Sequence, residues 1–319
     1  MITEIEIKNF KCFEDFKANG FKRVNLIVGK NNVGKTALME ACWIYEQNKN
    51  SADINEAFSN MVNSILLIKK FRDIANQDNF NLLKKFQGLI IKSNNKSVKL
   101  NLEINNLDGK LEINDFQIDI SLISSDLLKK YLSDNKPKNF IPSSKIDNEL
   151  ILNLYDSIKE NRKRDKLNQY ISQFDPDILE FEIINNLPKV FLDSRKQFED
   201  ISELGHGLKR YIAIISAILV SQDSYLFLDE IENGIHYTHL DRLWEIILTL
   251  SKELNCQVFA TTHSKDCIES YYKVSKKMAY KNVSYVKMTR LESGKIHSSV
   301  NDYELLENSM EQNHEVRGW

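Results

Sequence analysis

GKNNVGKT, Gly29 to Thr36, decides the fold class. It fits G-x-x-x-x-G-K-[ST], a loop whose backbone N–H groups cradle a phosphate chain. The glycines let the backbone close around the anion. A lysine then reaches the β- and γ-phosphates, and a threonine hydroxyl ligates Mg²⁺. Gly29, Asn31, Asn32, Gly34, Lys35 and Thr36 are therefore the candidate nucleotide-binding residues, with Thr36 also a metal ligand. The flanks agree. VNLIV, Val24 to Val28, is a short apolar run that reads as a buried strand. TALMEACWIYEQ, Thr36 to Gln47, carries Leu38, Cys42 and Tyr45 near helical spacing. Strand, glycine loop and helix N-terminus form a ready anion site. ATP with Mg²⁺ is the expected ligand.

Working outward, EIEIKNF (Glu4 to Phe10) alternates like a half-buried strand. Mixed helical spacings run from Ser51 to Phe86. GLIIKS, SVKLNLEI and LEINDFQIDI, split by SNNK and NNLDGK, read as a β-meander. Residues 121–170 are polar and helical in pattern, with a basic cluster in ENRKRDK. That cluster suits a solvated helix face or a contact with nucleic acid or a partner. After Ile171 the pattern alternates. PKVFL (Pro188 to Leu192), YLFLDE (Tyr225 to Glu230) and CQVFATTHS (Cys256 to Ser264) read as strands. LKRYIAIISAIL (Leu208 to Leu219) and HLDRLWEIILTLSKEL (His239 to Leu254) read as helices between them. Such alternation predicts a parallel α/β sheet. VSYVKM, GKIHSSV and a helix close the chain. The expected organisation is an N-terminal ATPase lobe over 1–120, a helical insertion over 121–170 and a C-terminal ATPase lobe over 171–319. The insertion does not read as core.

Three downstream motifs complete a site. YLFLDE is an apolar strand ending in two carboxylates, the Walker B arrangement. It delivers Asp229 beside the P-loop, where it supports Mg²⁺, and Glu230 one residue on, where it polarises an attacking water. TTHS (Thr261 to Ser264) places His263 beyond the next strand, at the ligand-binding edge of an open α/β sheet. The plain alternative is a capping or solvent-exposed histidine. SELGHGLKR (Ser202 to Arg210) is a glycine-containing turn opening a buried helix, able to face a phosphate. Its plain alternative is a helix cap by Ser202.

The order P-loop, SELGHGLKR, YLFLDEIENGIH, TTHS resembles ABC-type ATPase domains of the AAA-like group allied to the overcoming-lysogenization-defect nucleases. SMC proteins and RecF-type repair ATPases are more distant relatives. The resemblance covers the first ~50 residues and the stretch from Ile171 onward. It implies a P-loop head with a mixed, mostly parallel sheet. It also implies two heads packed head-to-tail, the P-loop of one facing the signature turn of the other. By that resemblance Lys35 neutralises phosphate charge, Thr36 and Asp229 hold Mg²⁺, Glu230 is the general base and His263 is the switch histidine. Ser202, Gly205 and Gly207 form the signature that acts in trans. The chain departs from the transporter pattern at Leu204, His206 and His236, and Gln87 is the candidate for the glutamine that such ATPases place near the nucleotide.

Composition narrows the function. With 43 Lys and Arg against 45 Asp and Glu, the net charge of −2 excludes a generally nucleic-acid-coating surface and leaves a local basic groove open. No apolar run approaches the ~20 residues of a membrane span, and MITEIEIKNF is no signal peptide. Four cysteines without a CxxC pair suit a reduced, cytoplasmic protein. No sustained heptads predict long coiled-coil arms. The tail beyond His263 leaves no room for a nuclease domain, so a standalone ATPase is expected. The leading reading is the sensor or motor of an anti-phage or toxin-like system. It acts as a homodimer or higher homo-oligomer with a separately encoded effector, a nuclease being one kind, and without a membrane partner. A RecF-like DNA-binding repair ATPase is the alternative. A small-molecule kinase is a third reading, but it needs neither a signature turn nor a switch histidine.

Overall fold

The computed structural model describes residues 1–53, 56–57, 59–61, 63–64, 86–105, 108–119, 138–144 and 146–311. Strands β1 (Glu4–Phe10) and β2 (Phe13–Asn19) form a hairpin before β3 (Val24–Val28), and α1 (Lys35–Asn48) follows the glycine loop. β4 (Leu89–Ser93), β5 (Lys96–Asn105), β6 (Asp108–Ile113) and β7 (Phe116–Asp119) are the meander. β8 (Phe140–Ile141) leads to α2 (Asn148–Glu160) and α3 (Arg164–Phe174). β9 (Ile178–Ile184), β10 (Leu187–Leu192) and β11 (Gln197–Asp200) precede α4 (His206–Val220). β12 (Tyr225–Leu228), α5 (Leu240–Glu253), β13 (Gln257–Thr262) and α6 (Lys265–Lys277) follow. β14 (Val283–Arg290), β15 (Ile296–Asp302) and α7 (Tyr303–Glu311) come last.

The central sheet has the order β15-β14-β3-β13-β12-β8. Every neighbouring pair is parallel except β14 with β15. Successive strand residues point to opposite faces. Leu26, Val28, Leu226, Leu228, Val258 and Ala260 join the core built with α4, α5 and α6. Ile27, Phe227, Phe259, Val286 and Met288 join the other core, with α1 and the antiparallel sheet β2-β1-β4-β5-β6-β7. Helix α1 is thus covered on two sides, and Leu38, Met39, Ala41, Cys42, Trp43 and Ile44 are all buried. A helix between two sheets needs no single apolar stripe. Because β3, β12 and β13 run parallel, their C-terminal ends share one edge. That edge carries the glycine loop, Asp229 and His263.

Two expectations are corrected. Leu187–Leu192 does not enter the parallel sheet; it is the middle strand of a separate antiparallel sheet, β11-β10-β9. The reason is local. Asn185 and Asn186 both have positive φ, +53° and +60°, and they link Ile184 to its partner Leu187. A two-residue turn of that kind forces an antiparallel neighbour. The described part of 121–170 is also core. Phe140–Ile141 pairs with Phe227–Leu228, and Ile151, Leu154, Tyr155, Ile158 and Leu167 are buried beneath α4. Its polar reading came from the outer faces of two amphipathic helices. Three of the four basic residues of the cluster there are engaged inside the chain: Arg164 pairs with Glu180 and Glu182, Lys163 Nζ donates to Leu219 O at 2.7 Å, and Lys166 meets Glu253 at 2.6 Å. Positions 121–137, and the helical spacings expected over 65–85, lie outside the described residues. Among the described residues no helix is long and apolar enough to cross a membrane.

Candidate nucleotide site

Sterics fix the glycine loop. Gly29 has φ +147°, and a Cβ there would lie 2.5 Å from Met288 O on β14. Gly34 has φ +100°, and a Cβ there would lie 2.7 Å from Cys12 Sγ in the β1–β2 turn. Both positions therefore exclude a side chain. Asn32 also has positive φ, +61°, and its carbonyl accepts from Arg290 at 3.1 Å. Lys35 Nζ donates to the carbonyls of Gly29 at 2.8 Å and Lys30 at 3.0 Å. The lysine is nearly buried, 8% exposed. Burial pushes its ammonium below the ordinary lysine value, and the carboxylates of Glu230, Asp229 and Glu232 pull it back.

The acid pair is tied down by Thr36 and by two residues to which the sequence reading gave no role, Thr261 and Arg210. Thr36 Oγ1 donates to Asp229 Oδ1 at 2.9 Å, and Thr261 Oγ1 donates to the same oxygen at 2.7 Å. Thr261 Oγ1 also accepts from the Glu230 N–H at 2.8 Å, so one buried hydroxyl serves both acids. Glu230 has φ +47°, a rare conformation for a non-glycine residue and one found at functional sites. Arg210 on α4 donates to the carbonyls of Pro142 at 2.9 Å and Glu230 at 2.9 Å, and to that of Asp229. Burial brings its guanidinium down to about 10 against the pull of Asp229, Glu232 and Glu230. The helix opened by the Ser202–Gly207 turn is thereby fixed to the backbone of both acids. The available signals were the threonine pair before His263 and the basic pair after Gly207.

These groups share a cavity of about 920 Å³. Asn31, Asn32, Gly34, Lys35, Thr36, Asp229 and Glu230 line it, together with Lys11, Cys12, Glu40, Pro142 and Ser143. Thr36 and Asp229 offer a hydroxyl and a carboxylate 2.9 Å apart. These hard oxygen donors fit Mg²⁺, which takes its other positions from phosphate oxygens and water. His263 stands beside the cavity, its Nδ1 3.8 Å from Glu230 Oε1 and 3.5 Å from Glu232 Oε1.

Ser202, Gly205 and Gly207 do not line this cavity. Gly205 is the N-cap of α4, which has no side-chain cap. Ser202 is exposed, and its N–H donates to Asp200 Oδ1 at 2.8 Å. The plain reading of Ser202 as a helix cap does not hold. Gly207 packs so close to Gly234 that a Cβ would lie 2.4 Å from its carbonyl oxygen. Gln87 is exposed in the turn before β4, outside the cavity, where Pro142 and Ser143 reach instead. His236 Nδ1 bonds Thr238 Oγ1 at 2.9 Å, and His239 stacks on Phe174.

A family model described as "AAA domain, putative AbiEii toxin, Type IV TA system" matches residues 24–266. The chain belongs to that AAA family. It is 26% identical to an ATP/GTP phosphatase of Helicobacter pylori over 323 residues, covering 84% of this chain and 87% of that protein. A stretch of 116 residues is 30% identical to the DNA replication and repair protein RecF of Bacillus cytotoxicus, covering 36% of this chain and 26% of that one. In fold this AAA protein is similar to an SMC head bound to the C-winged helix domain of ScpA, with TM-score 0.58 and 12% identity over 96% of this chain and 99% of that one. It is also similar to a Pyrococcus furiosus Smc head with an extended coiled coil, with TM-score 0.56 and 11% identity over 98% and 99%. The fold is that of an ABC-like ATPase head, and this AAA protein is an ATPase.

Proposed function

We propose that the protein binds Mg·ATP in this cavity and hydrolyses it to ADP and phosphate between two heads packed head-to-tail. One observation carries the reading. Lys35, Thr36, Asp229 and Glu230 line a single cavity, while Ser202, Gly205 and Gly207 lie off it. In the ATPases this chain resembles, such a turn serves the nucleotide of the opposite head. Lys35 neutralises phosphate charge, and the loop N–H groups hold the phosphate oxygens. Thr36 and Asp229 would hold Mg²⁺, which would supply charge neutralisation at the phosphates. Glu230 takes the proton of the attacking water. His263, at the rim, meets the γ-phosphate or that water.

The biological setting follows the family and the LGHG and ENGIH motifs, which resemble the group allied to the overcoming-lysogenization-defect nucleases. We place the protein in the cytoplasm, as the nucleotide-driven sensor or motor of an anti-phage or toxin-like system with a separate effector. The partial likeness to RecF supports a second reading, a DNA-binding repair ATPase. Duplex binding that falls steeply with salt favours the second over the first.

Glu230→Gln keeps the shape and removes the base. It is expected to retain ATP binding while phosphate release falls about 100-fold or more. Light scattering of this variant is expected to show twice the monomer mass with ATP and the monomer mass without it. Full turnover and an unchanged mass would reject both the base and the paired heads.

A further inference from the structure

Three carboxylates follow β12 within four residues, and their surroundings differ. Asp229 is held by Thr36 and Thr261. Glu230 lines the cavity. Glu232 does neither. Its side chain is 12% exposed. Its Oε1 accepts from the backbone N–H of His263 at 3.2 Å and lies 3.5 Å from the ring Nδ1. Its Oε2 is buried and finds no hydrogen-bond donor among the described residues.

A carboxylate buried with one oxygen unpartnered is a poor stabiliser. What it does have is a fixed place. Its own carbonyl accepts from the Ile235 N–H at 2.9 Å, and the Ile231 N–H is tied to Thr261 O at 3.0 Å. The turn carrying Glu232 is therefore fastened to the end of β13, two residues before His263. The imidazole is half exposed, 49%. Without a partner such a ring samples several rotamers and both neutral tautomers. A carboxylate at Nδ1 selects the tautomer with the proton on that nitrogen and leaves Nε2 as the nitrogen free to meet a ligand.

Resting on the reading of His263 given above, we propose that Glu232 is the positioning residue for this histidine. It accepts the backbone N–H of His263 and its Oε1 is the carboxylate oxygen nearest the ring Nδ1, at 3.5 Å against 3.8 Å for Glu230, so that Nε2 is presented to the γ-phosphate or to the attacking water. Glu232 does not itself touch the reacting atoms. The sequence pattern Asp-Glu-x-Glu at 229–232 then encodes a metal support, a base and a clamp for a residue on the next strand.

The test uses the full chain labelled with ¹⁵N in histidine, its His263 signals assigned by their loss in His263→Ala. Wild type is expected to show His263 in the Nδ1–H tautomer, and Glu232→Ala a mixture of the two. In steady-state hydrolysis Glu232→Ala is expected to lower kcat about tenfold with KM within about twofold, the size of effect typical of groups that orient a functional histidine. The double variant with His263→Ala is expected to be no slower than His263→Ala alone, because the two act as one unit. Should Glu232→Ala fold poorly, Glu232→Gln keeps an acceptor for the His263 N–H and is read the same way, with a smaller loss. Losses that multiply in the double variant, or a tautomer unchanged in both Glu232 variants, would overturn the proposal. A wild-type protein without ATPase activity would remove the proposed function instead, and the tautomer measurement would still decide the role of Glu232.

Discussion

The P-loop and the Ser202–Gly207 turn are made of similar parts, but their helix-capping glycines sit in opposite surroundings. Each ends at the N-terminus of a helix capped by glycine, Gly34 for α1 and Gly205 for α4, with no side chain bonded to the first turn. Each therefore has backbone N–H groups without an intrahelical partner. Around the P-loop the chain itself closes in. Met288 O and Cys12 Sγ crowd Gly29 and Gly34, and Lys35 and Thr36 are already hydrogen-bonded. Around Gly205, among the described residues, nothing lies within 4 Å of where a Cβ would sit, and Ser202, Gly205 and His206 are exposed. On the function proposed above, one half is preorganised to take a ligand from solution. The other is a rigid helix end whose complement, on the function proposed above, comes from a second molecule. Arg210 joins the halves, since it sits on α4 and grips the carbonyls of Asp229 and Glu230.

The largest effect should come from breaking the preorganised half. Lys35→Ala removes the cation that lies along the loop between Gly29 and Lys30. ATP affinity by calorimetry is expected to fall about 100-fold or more, roughly 3 kcal/mol. The fold should persist, because among the described residues the Lys35 ammonium donates only to the loop it serves. Wild-type affinity in this variant would remove the nucleotide assignment and with it the contrast between the halves.

A smaller effect is expected one layer behind. Thr261 is fully buried, and its hydroxyl is bonded to both Asp229 and the Glu230 N–H. Thr261→Val has nearly the same shape and leaves those two groups short of a partner. Leaving buried polar groups unsatisfied costs about 1–3 kcal/mol. Denaturant unfolding should show a loss of that order. Phosphate release should drop, while ATP affinity, set by the loop, changes little. Equal losses in affinity and turnover would mean that the acids and the P-loop are not separately held.

The sequence made the preorganised half legible because its chemistry is local. Spacing alone places Gly29, Gly34, Lys35 and Thr36 on one turn, and the strand endings place Asp229 and His263 on one sheet edge. What escaped was held by long-range contacts. Thr261 and Arg210 reach acids 32 and 19 residues away in sequence, and no periodicity marks such a side chain. The three-stranded sheet around β10 was missed because its deciding signal is two asparagines in a turn rather than a strand pattern. The described part of 121–170 read as peripheral because amphipathic helices with charged outer faces look polar in composition. β8, only two residues long, carries no pattern.

The subtlest prediction concerns the open half. Gly205 has φ +101° and ψ 160°, a region that residues with a Cβ avoid. Among the described residues no neighbour stands within 4 Å of an added methyl. The strain of Gly205→Ala is therefore confined to an exposed turn able to relax, and stability should fall by only about 1 kcal/mol. ATP affinity of the isolated head should be unchanged, since Gly205 does not line the cavity. The ATP-dependent doubling of mass in the Glu230→Gln background is where the change should appear. A partner's phosphate chain brought against the start of α4 would meet the new methyl and a displaced His206 N–H. Light scattering across a protein dilution series should then show a weaker association in the double variant, at an ATP concentration that saturates both proteins. Equal association with and without the substitution would mean that the turn faces something other than the nucleotide of a second head. The contrast between the halves would then describe how the chain is packed and say nothing of how two chains meet.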